Sequence, residues 1–457
     1  MTAPPLRPYQ VEDRNHLMSH LQKGTHTLYG LPTGGGKTRV ASDIIQQFQQ
    51  EKGGRILITV HRRELLLQMS AALSRLDLDH SLFAAGYDCK PEHPIQLASI
   101  DTVRARLSKL NHWLSLFDLV VVDEAHHATA ETWEDILQAC RRSVRLGLTA
   151  TPYRLTGKPL GFLFDAAVRG PEISTLVGLG FLAPSWVVSP PPVVNLSAVR
   201  TQHGDYVISD LQKLLDRDDI ALVAVRAYAR WARGEPCIVF CTGVEHSLHV
   251  AEAFRAAGWR SSAVYGDMPQ HLRDAAIGGL SNHSVQILTS CDLIGEGLDV
   301  PEASCGILLR PTKSTGRYKQ QVGRLMRPAV GKNRALIVDL IQNSRMHGHP
   351  EQTRLWSLRD GLIPGKFTAP VRCPHCWRVS MPEALSCSNC GRPFAPATIM
   401  TMTPNDLQNL PLSTLCHMAQ SLDEFERIGL ARGYAHGWAW HRWRELRGTG
   451  SVYQPRG

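Results

Sequence analysis

Two long stretches of this chain alternate short apolar runs with segments of helical periodicity. In the first stretch, from Leu6 to about Thr151, the apolar runs have the length and composition of β-strands. Their sequences are HTLYGL, RILITV, IQLAS, FDLVVVDEA and VRLGLTATP. Strands that alternate with helices pair in parallel, and a parallel sheet is covered by helices on both faces. The first stretch therefore predicts an α/β domain with a central parallel sheet.

The second stretch repeats this rhythm, with the runs PCIVFCTG, RSSAVYGD, VQILTSCD, CGILLRP and NRALIVDLI. Between the two stretches, GFLAPSWVVSPPPVVNL carries a proline run that does not fit inside a sheet and predicts a connector. We therefore expect two α/β domains in tandem, followed by smaller pieces. The predicted segments are a first domain (1–155), a connector (156–215), a second domain (216–345), a linker (346–369), a cysteine-containing ribbon (370–395) and a helical tail (396–457).

The 457-residue chain has a formal charge of +9. This modest basic excess fits a polyanionic partner, and it also fits an ordinary basic protein. No apolar run reaches the roughly 18 residues of a membrane span, and the first residues contain no apolar segment typical of a secretory signal. We therefore expect a cytoplasmic protein without membrane contact.

A glycine-rich segment, LYGLPTGGGKT at residues 28–38, ends a strand-like run and precedes a helix-patterned one. It fits a loop whose backbone N–H groups surround a phosphate. Lys37 would then contact the β- and γ-phosphates of a nucleotide, and Thr38 its magnesium ion. By itself the segment also fits a tight turn, because Leu31 stands where the strict pattern has glycine. The candidate phosphate-binding glycines are Gly34, Gly35 and Gly36.

A second candidate site follows in the same domain, where the strand-like run FDLVVV ends in the sequence DEAH. Ligands bind at the carboxyl ends of the strands in open α/β sheets, which is where these acids would lie. Asp123 is predicted to hold magnesium, and Glu124 to polarise the attacking water. Two acids at a strand end also fit a solvated loop. Their combination with Lys37 and Thr38 favours phosphoryl transfer.

These motifs resemble those of the superfamily 2 helicases and translocases with a DEAH box, over most of residues 6–340. LRPYQ resembles the family motif in which a glutamine, here Gln10, contacts adenine. LPTGGGKT resembles the family's own phosphate loop, in which the first glycine is commonly absent, so this segment is expected to bind ATP. The resemblance implies two RecA-like domains in tandem. It extends to bacterial RadD-like and phage-encoded helicases through LGLTATPYRL and LRPT.

The resemblance also assigns residues of the second domain. QQVGRLMRP fits the family pattern Q-x-x-G-R-x-x-R, which would place Gln320, Arg324 and Arg327 opposite the phosphates. An arginine from a second domain stabilises the charge of a transferring phosphoryl group only when the cleft closes. By themselves the arginines also fit surface charges on a helix. TSCDLIGEGLDVP would place Gly297 and Asp299 near the nucleotide.

Other family motifs face the nucleic acid. HRRELLLQ and SIDTV resemble those of the first domain, and TAT at 149–151 resembles the element that links nucleotide state to domain closure. If each domain binds the nucleic-acid strand, repeated domain closure moves the two binding sites relative to one another. The candidate nucleic-acid-binding residues are His61, Arg62, Thr102 and Thr289.

Four of the eleven cysteines form two C-x-x-C pairs, CPHC and CSNC, separated by ten residues. Two thiolates on each of two tight knuckles enclose a tetrahedral zinc ion, and four protein ligands leave no open catalytic position. A structural Zn²⁺ ribbon is therefore predicted, with redox dithiols or unbound thiols as the alternatives. The predicted ligands are Cys373, Cys376, Cys387 and Cys390.

The segment ARGYAHGWAWHRWRELRG interleaves aromatic residues with arginines. This pattern fits a surface on which exposed bases stack, and it also fits a small helical pack. Trp440 and Trp443 are three residues apart and would share one helix face, as core residues do. The sequence leaves open whether the tail packs against the ribbon or motor, or contacts nucleic acid or a protein partner.

Taken together, the motifs favour a motor that uses ATP, Mg²⁺ and structural Zn²⁺ and acts on single-stranded or branched DNA in replication, recombination or repair. An RNA helicase is the alternative within the same class. A zinc-containing DNA-binding protein gated by ATP, without unwinding, is the alternative from another class. Lys37, Glu124 and Arg324 argue against that last hypothesis, because a switch that does not hydrolyse ATP does not need all three.

Overall fold

The computed structural model describes residues 4–127, 130–152, 159–202, 204–291, 300–363, 368–394, 399–400, 402–435 and 437–447. The chain forms two compact units. The larger unit comprises Met1–Ile363 and Thr368–Met381, and the smaller unit comprises Pro364–Phe367 and Pro382–Gly457.

The larger unit begins with an α/β domain built around a parallel sheet. Among the described residues, seven strands pair in the order β3-β4-β2-β5-β6-β1-β7, and every pair is parallel. The five strands predicted for this domain are confirmed, while β3 and the edge strand β7 have no counterpart in the prediction. The elements are α1 (Pro8–Gln22), β1 (Thr27–Gly30), α2 (Lys37–Lys52), β2 (Ile56–Val60), α3 (Arg63–Ser74), β3 (His80–Phe83), β4 (Ile95–Ser99), α4 (Ile100–Ala105), α5 (Leu107–Leu114), β5 (Leu119–Val122), a 3-10 helix (Ala125–His127), α6 (Ala130–Ala139), β6 (Val144–Thr149) and β7 (Ala166–Arg169).

Alternate residues of the central strands bury opposite faces of this sheet. Ile58 and Val121 belong to one hydrophobic core, which the residues of α2 complete. Leu57 and Val120 belong to the core on the other face, with Ile136 of α6. A strand that is buried on both faces reads as a continuous apolar run. This is the physical reason why RILITV and FDLVVV show no apolar–polar alternation.

The second domain repeats this architecture. Six strands of the described part pair in the order β12-β13-β11-β14-β15-β8, again all in parallel, and the five predicted strands are confirmed. The elements are α7 (Ile173–Gly178), β8 (Ser185–Val188), β9 (Thr201–Gln202), β10 (Asp205–Tyr206), α8 (Ile208–Leu215), α9 (Asp218–Trp231), β11 (Cys237–Cys241), α10 (Val244–Ala256), β12 (Ser261–Val264), α11 (Gln270–Ser281), β13 (Ile287–Cys291), β14 (Cys305–Leu308), α12 (Thr315–Leu325), β15 (Ala335–Asp339) and α13 (Asn343–His347).

Both edge strands β7 and β8 come from the segment predicted as a connector. Strand β7 pairs with β1 of the first sheet, and β8 pairs with β15 of the second. Pro184 precedes β8 and the proline run 190–192 follows it, so no proline occupies a position within the strand. The prolines limit β8 to four residues at a sheet edge, which is too short for its sequence pattern to reveal it.

The remainder of the larger unit contains two short hairpins. The first lies in the predicted linker, and its Trp356 is only 7% exposed in a core of the first domain. The linker is therefore packed at this point and is not an extended spacer. The strands are β16 (Trp356–Ser357), β17 (Gly361–Leu362), β18 (Val371–Arg372) and β19 (Val379–Ser380).

The described part of the smaller unit contains four helices with a hydrophobic core of their own around Phe425. Trp438 and Trp443 pack against this core. The ring of Trp440 instead lies beside His441 and 4.9 Å from the guanidinium of Arg444. The predicted helical tail is confirmed. Trp440 and Trp443 do not share the core-facing side of their helix as expected, since Trp443 packs on the core and Trp440 is half-buried outside it. The helices are α14 (Pro404–Asn409), α15 (Leu412–Met418), α16 (Leu422–Ala431) and α17 (Trp438–Arg447).

Across the described portions of both units, no helix combines the length and the apolar character that crossing a membrane requires.

Candidate functional site

The glycine-rich loop connects Gly30, the last residue of β1, to Lys37, the first residue of α2. Gly36 has φ +90°, in the left-handed region that favours glycine. A Cβ atom at Gly36 would lie 2.5 Å from Nε2 of Gln10. The lysine Nζ donates to the Leu31 carbonyl over 3.2 Å. The backbone thus curls tightly at the N-terminal end of a sixteen-residue helix, where unpaired N–H groups favour an anion.

The residues before α1 and at its start hold this loop from outside. Gln10 is buried, and its Nε2 donates to the Gly35 carbonyl over 2.9 Å, while its Oε1 accepts from the backbone N–H of Arg7. The hydroxyl of Tyr9 donates to the same Gly35 carbonyl over 2.6 Å. Tyr9 was not among the predicted site residues, although it lies in the LRPYQ motif next to Gln10. In this structure the amide of Gln10 therefore orders the phosphate loop.

Lys37 belongs to a partly buried charge cluster to which both domains contribute. Burial lowers the pKa of its ammonium group, and the nearby carboxylates of Glu124 and Asp123 oppose that shift. The guanidinium groups of Arg324 and Arg327 lower the lysine pKa further. Like charges approach this closely only where other groups compensate them. The structure therefore brings together five residues that the sequence analysis predicted separately.

The two acids follow directly after β5. Asp123 accepts the backbone N–H of Glu124 over 3.0 Å, and burial together with the Glu124 charge raises the pKa of Asp123 to about 6. Glu124 has φ +49°, a conformation that costs a non-glycine residue about 1–3 kcal/mol. Such strain is typical of functional sites. Thr38, the second predicted magnesium residue, lies in the first turn of α2.

His126 connects the two domains, and the sequence analysis did not assign it a role. Its Nε2 lies 3.2 Å from Nε2 of Gln320, and its Nδ1 lies 3.0 Å from the Thr149 hydroxyl and 3.3 Å from the Glu124 carboxylate. An amide nitrogen only donates, so His126 accepts at Nε2 and carries its proton on Nδ1. The ring therefore joins the DEAH acid, the TAT element and α12. The signal was present in the sequence as the fourth letter of DEAH.

Helix α12 packs directly on the phosphate loop. A Cβ atom at Gly323 would lie 2.9 Å from Cβ of Thr33, so no larger residue fits there without a shift. Arg324 is 7% exposed. A Cβ atom at Gly34 would lie 3.4 Å from Cγ of Arg327, so the stem of this arginine runs along the loop. Gly323 of the helix and Arg327 just after it thus contact the loop at van der Waals distance.

A second, basic cavity of about 320 Å³ lies between the domains, and the predicted residues His61 and Arg62 line it. Two arginines of the second domain, Arg310 and Arg317, line it as well. Burial, and after it the Arg317 charge, lower the pKa of Arg310 to about 10. These arginines occur in LLRPTKSTGR, a basic stretch just before Q-x-x-G-R, which was their only signal in the sequence. His127, at the end of the DEAH segment, lines the same cavity.

An ion pair joins the domains beside this cavity. Glu64, at the start of α3, accepts from Arg273 of α11 over 2.6 Å, and the side chain of Arg273 is almost fully buried. The same guanidinium donates to the carbonyl of Met268. The pair therefore fixes the first turn of α3, which follows His61 and Arg62, to the second domain.

The remaining predicted residues have different outcomes. Thr289 lies in the middle of β13 with no exposed surface, and its hydroxyl donates to the Ser247 carbonyl over 2.7 Å. A backbone contact to nucleic acid by Thr289 is therefore wrong for this structure; its neighbour Ser290 lines the basic cavity instead. Thr102 is half-buried in α4 and is not part of the cavity lining. Gly297 and Asp299 lie outside the described residues.

The four predicted cysteine ligands form a cluster whose sulfurs all lie within 4.8 Å of one another. The two C-x-x-C segments have the same backbone hydrogen bonds. Cys373 donates its N–H to the Arg378 carbonyl and accepts from the Trp377 N–H, and Cys387 does the same with Arg392 and Gly391. The residues four positions after each first cysteine both have positive φ, +61° and +68°. Two equivalent knuckles with converging thiols fit a tetrahedral zinc ion.

Comparison with known proteins agrees with this geometry. Residues 3–154 match the family described as the res subunit of type III restriction enzymes, and residues 219–329 match the helicase conserved C-terminal domain. A 51.5 kDa protein of a Lactococcus phage is 31% identical over 371 residues, covering 80% of this chain and 77% of its own length. The IRC3 protein of Saccharomyces cerevisiae, named as an ATP-dependent helicase, is 30% identical over 74% of this chain. The chain belongs to the superfamily 2 helicases.

More distant relatives share the same core. The DNA 3'-5' translocase XPB2 of Sulfurisphaera tokodaii is 23% identical, with 74% of this chain and 81% of that protein covered. A fragment of an HsdR subunit of a type I restriction enzyme from Vibrio vulnificus has a TM-score of 0.60 at 20% identity, covering 79% of this chain and 71% of that one. The helicase spans about half (52%) of the length of its yeast relative. The family places it among the nucleic-acid-dependent ATPases, which use ATP and Mg²⁺.

The contact of α12 with the phosphate loop yields a first prediction. Gly323→Ala should separate the helix from Thr33 and reduce ATP turnover by about 10-fold or more, because small displacements of a catalytic group have large effects. Nucleotide binding should change little, since the first domain is intact. Steady-state ATPase assays and titration with a fluorescent nucleotide measure the two effects.

Gly278→Ala is the matched control, because Gly278 lies in α11 and an added Cβ would meet nothing within 4 Å. This control should keep parental turnover and gain roughly 0.5–1 kcal/mol of stability. Parental turnover in Gly323→Ala would contradict the packing role of this glycine.

Proposed function

We propose that this helicase is an ATP-dependent motor that moves on DNA by closing and opening the cleft between its two RecA-like domains. The observation that carries the proposal is the charge cluster to which both domains contribute, with Lys37 and the DEAH acids on one side and Arg324 and Arg327 on the other. Because the cluster is complete only when the domains meet, phosphoryl transfer and domain closure become one event.

The residues of the first domain fit a nucleotide with magnesium. Lys37 is a half-buried lysine at the N-terminal end of α2, where the helix dipole adds to its attraction for an anion. The Thr38 hydroxyl and the Asp123 carboxylate are oxygen ligands of the kind that Mg²⁺ prefers. When bound, ATP would supply the phosphoryl group that is transferred to water, and magnesium would neutralise part of the phosphate charge.

The roles of the other residues follow from their contacts. Glu124 is proposed to orient the attacking water and take up its proton, with His126 holding the carboxylate. Gln320 fixes the His126 ring from the second domain. Arg324 and Arg327 are proposed to stabilise the charge that spreads over the phosphoryl oxygens. Gln10 is proposed to keep the loop in its binding conformation and to contact the adenine.

The basic cavity is the proposed path of the nucleic-acid backbone. Arg62 from the first domain and Arg310 and Arg317 from the second line it together, so a strand inside it is gripped from both sides. Arginine is well suited to phosphate, because its planar fork donates two parallel hydrogen bonds. Translocation requires a nucleic-acid-binding site on each of two domains that move relative to one another.

DNA is the preferred substrate in this proposal. XPB2 is named a DNA translocase and is similar to 74% of this chain, across both motor domains. The matches with RNA helicases named PRP28 cover 20% of the chain. The choice is tested by measuring ATP turnover in parallel with single-stranded, duplex and forked DNA and with RNA of the same sequence. Stimulation by RNA alone would replace the DNA proposal with the RNA one.

The cysteine cluster is proposed to hold one structural Zn²⁺. All four ligands come from the protein, so the site offers no open position for catalysis. Around the first knuckle, Trp377 packs against Trp231 and the guanidinium of Arg230 lies 4.9 Å from both rings. The knuckle is thereby anchored on α9 of the second domain.

Two substitutions test the ATP site. Lys37→Ala should abolish ATP turnover and weaken nucleotide binding while the chain stays folded, because the side chain contributes charge and little packing. Glu124→Gln should retain nucleotide binding and lose turnover by about 100-fold or more, since only proton transfer is removed. ATPase assays, nucleotide titrations and thermal unfolding separate these effects.

Lys52→Ala, at the exposed end of the same helix, is the control for Lys37 and should behave as the parental chain. Equal loss of nucleotide binding in Glu124→Gln and Lys37→Ala would contradict the role proposed for the glutamate.

The nucleic-acid path is tested by Arg62→Gln, with Arg75→Gln as control at the exposed opposite end of α3. Loss of one phosphate contact should weaken binding to all sequences and reduce the slope of log K against log salt by about 1. The control should keep the parental slope. If the two variants bind equally well at every salt concentration, the strand does not pass Arg62.

For the cysteine cluster, the purified chain should contain about one zinc ion, measured by elemental analysis. Cys376→Ser should lose it, because three ligands hold zinc less tightly than four. Cys89→Ser, a half-buried thiol outside the cluster, should retain the parental zinc content. A parental chain with no bound metal after purification without chelator would favour the dithiol alternative.

A further inference from the structure

A segment after the second domain returns to the first domain and touches both halves of the ATP site. We call residues 349–363 the strap. It follows α13 of the second domain and includes the hairpin β16–β17. The motor domains are therefore joined twice by the chain, once through the residues before β8 and once through the strap.

At its start the strap is held by α12, the helix that carries Gln320 and Arg324. Lys319 of α12 donates to the Gln352 carbonyl over 3.0 Å, and Tyr318 donates to the carbonyl of Gly348, just before the strap, over 3.2 Å. Glu351 accepts both the N–H and the hydroxyl of Ser185 on β8, each over 2.7 Å. This end of the strap is fixed to the second domain.

Burial lowers the pKa of Lys319 to about 8. The side chain of Lys319 is half-buried, and its ammonium group donates a hydrogen bond to the strap. This bond joins the strap to α12 at the position next to Gln320.

Near its end the strap is held by the first domain, at the base of the phosphate loop. Trp356 packs against Gly30, where an added Cβ would lie 3.2 Å from the indole, and the same Cβ would lie 3.5 Å from Pro152. Gly30 is the last residue of β1, which delivers the loop, and Pro152 follows the TAT element. Arg169 lies 4.4 Å over the indole ring and donates to the Trp356 carbonyl.

A backbone bond completes this attachment. The N–H of Gly161 donates to the Leu358 carbonyl over 2.8 Å. Gln352, which contacts α12, and Trp356, which contacts the end of β1, are separated by only three residues. One of these three, Thr353, is exposed. So short a connection leaves little freedom in the separation of its two ends.

We propose that the strap is a positioning element for ATP hydrolysis, in which Trp356 and Gln352 set the distance between the phosphate loop and the arginine-bearing helix α12. The inference rests on the proposed function, because it concerns the same ATP site. Neither residue contacts the reacting atoms; both act through the elements that carry the catalytic residues.

The decisive experiment lengthens the strap without removing a side chain. Insertion of Gly-Ser-Gly-Ser between Thr353 and Arg354 leaves both anchors in place and makes the connection between them slack. The control carries the same insertion between Arg233 and Gly234, an exposed turn within the second domain. The measurements are kcat and KM for ATP with saturating DNA, nucleotide affinity, and hydrogen exchange of α12 and the phosphate loop.

The slackened strap should lower kcat by about 10-fold or more and change nucleotide affinity by less than about 3-fold, since the first domain binds the nucleotide alone. Amide exchange in α12 should become faster, while the control insertion keeps parental values throughout. Parental kcat together with parental exchange in the slackened protein would overturn the proposal.

Trp356→Ala and Trp356→Phe provide a second test, with Trp113→Ala as control. Trp113 packs against Phe83 and Phe117 on the same face of the first sheet, away from the strap. Trp356→Ala should reproduce the loss of kcat and the faster exchange in α12, and phenylalanine should restore part of both. A purely structural role would give equal effects in Trp356→Ala and Trp113→Ala.

These outcomes are distinct from failure of the proposed function. If the parental chain shows no ATP turnover that depends on Lys37, the proposed function fails. Hydrogen exchange in α12 then still decides whether the strap holds this helix, because that measurement needs no ATPase activity.

Discussion

The structure depends on a buried cluster of charges that neither domain compensates alone. Lys37 lies near two carboxylates of its own domain and two guanidinium groups of the other. The acids favour its charged form and the arginines oppose it, so the cluster contains repulsion between cations in a site of low dielectric constant. An anion with several negative charges removes that repulsion when it binds. In the proposed function, domain closure is therefore most favourable when a polyphosphate lies between the domains.

Much of the fold follows from the sequence because its strands are buried on both faces. RILITV and CIVFC give continuous apolar signals, and the structure has strands there. Strands β7 and β8 lie at sheet edges, where prolines and short lengths erase the pattern. Trp356 gives no signal at all, because a single buried indole in a polar segment has no periodicity. Its burial depends on Gly30, more than three hundred residues earlier in the chain.

The candidate site was predictable where the chemistry is local. The C-x-x-C spacing alone determines the knuckle backbone, so two knuckles with the same hydrogen bonds follow from two equal spacings. Contacts across the cleft were not predictable in this way. The pairing of His126 with Gln320 joins residues 194 positions apart. For Thr289, the motif gives the position along β13 but not the face of the strand, and the hydroxyl points toward α10, which covers the sheet.

A short 3-10 helix, Ala125–His127, links the two cavities of the motor. His126 contacts Glu124 and Gln320 on the ATP side, while His127 lines the basic cavity and has its ring centroid 4.5 Å from that of His61. The rings of His126 and His127 are themselves 4.2 Å apart. A nucleic-acid strand that enters the basic cavity and displaces the His61–His127 pair would move His127. Its neighbour His126 contacts the Glu124 carboxylate. Since Glu124 is in a strained backbone conformation, a small rotation of this helix changes where its carboxylate points. In the proposed function, this 3-10 helix would couple nucleic-acid binding to water activation, because its residues line both sites.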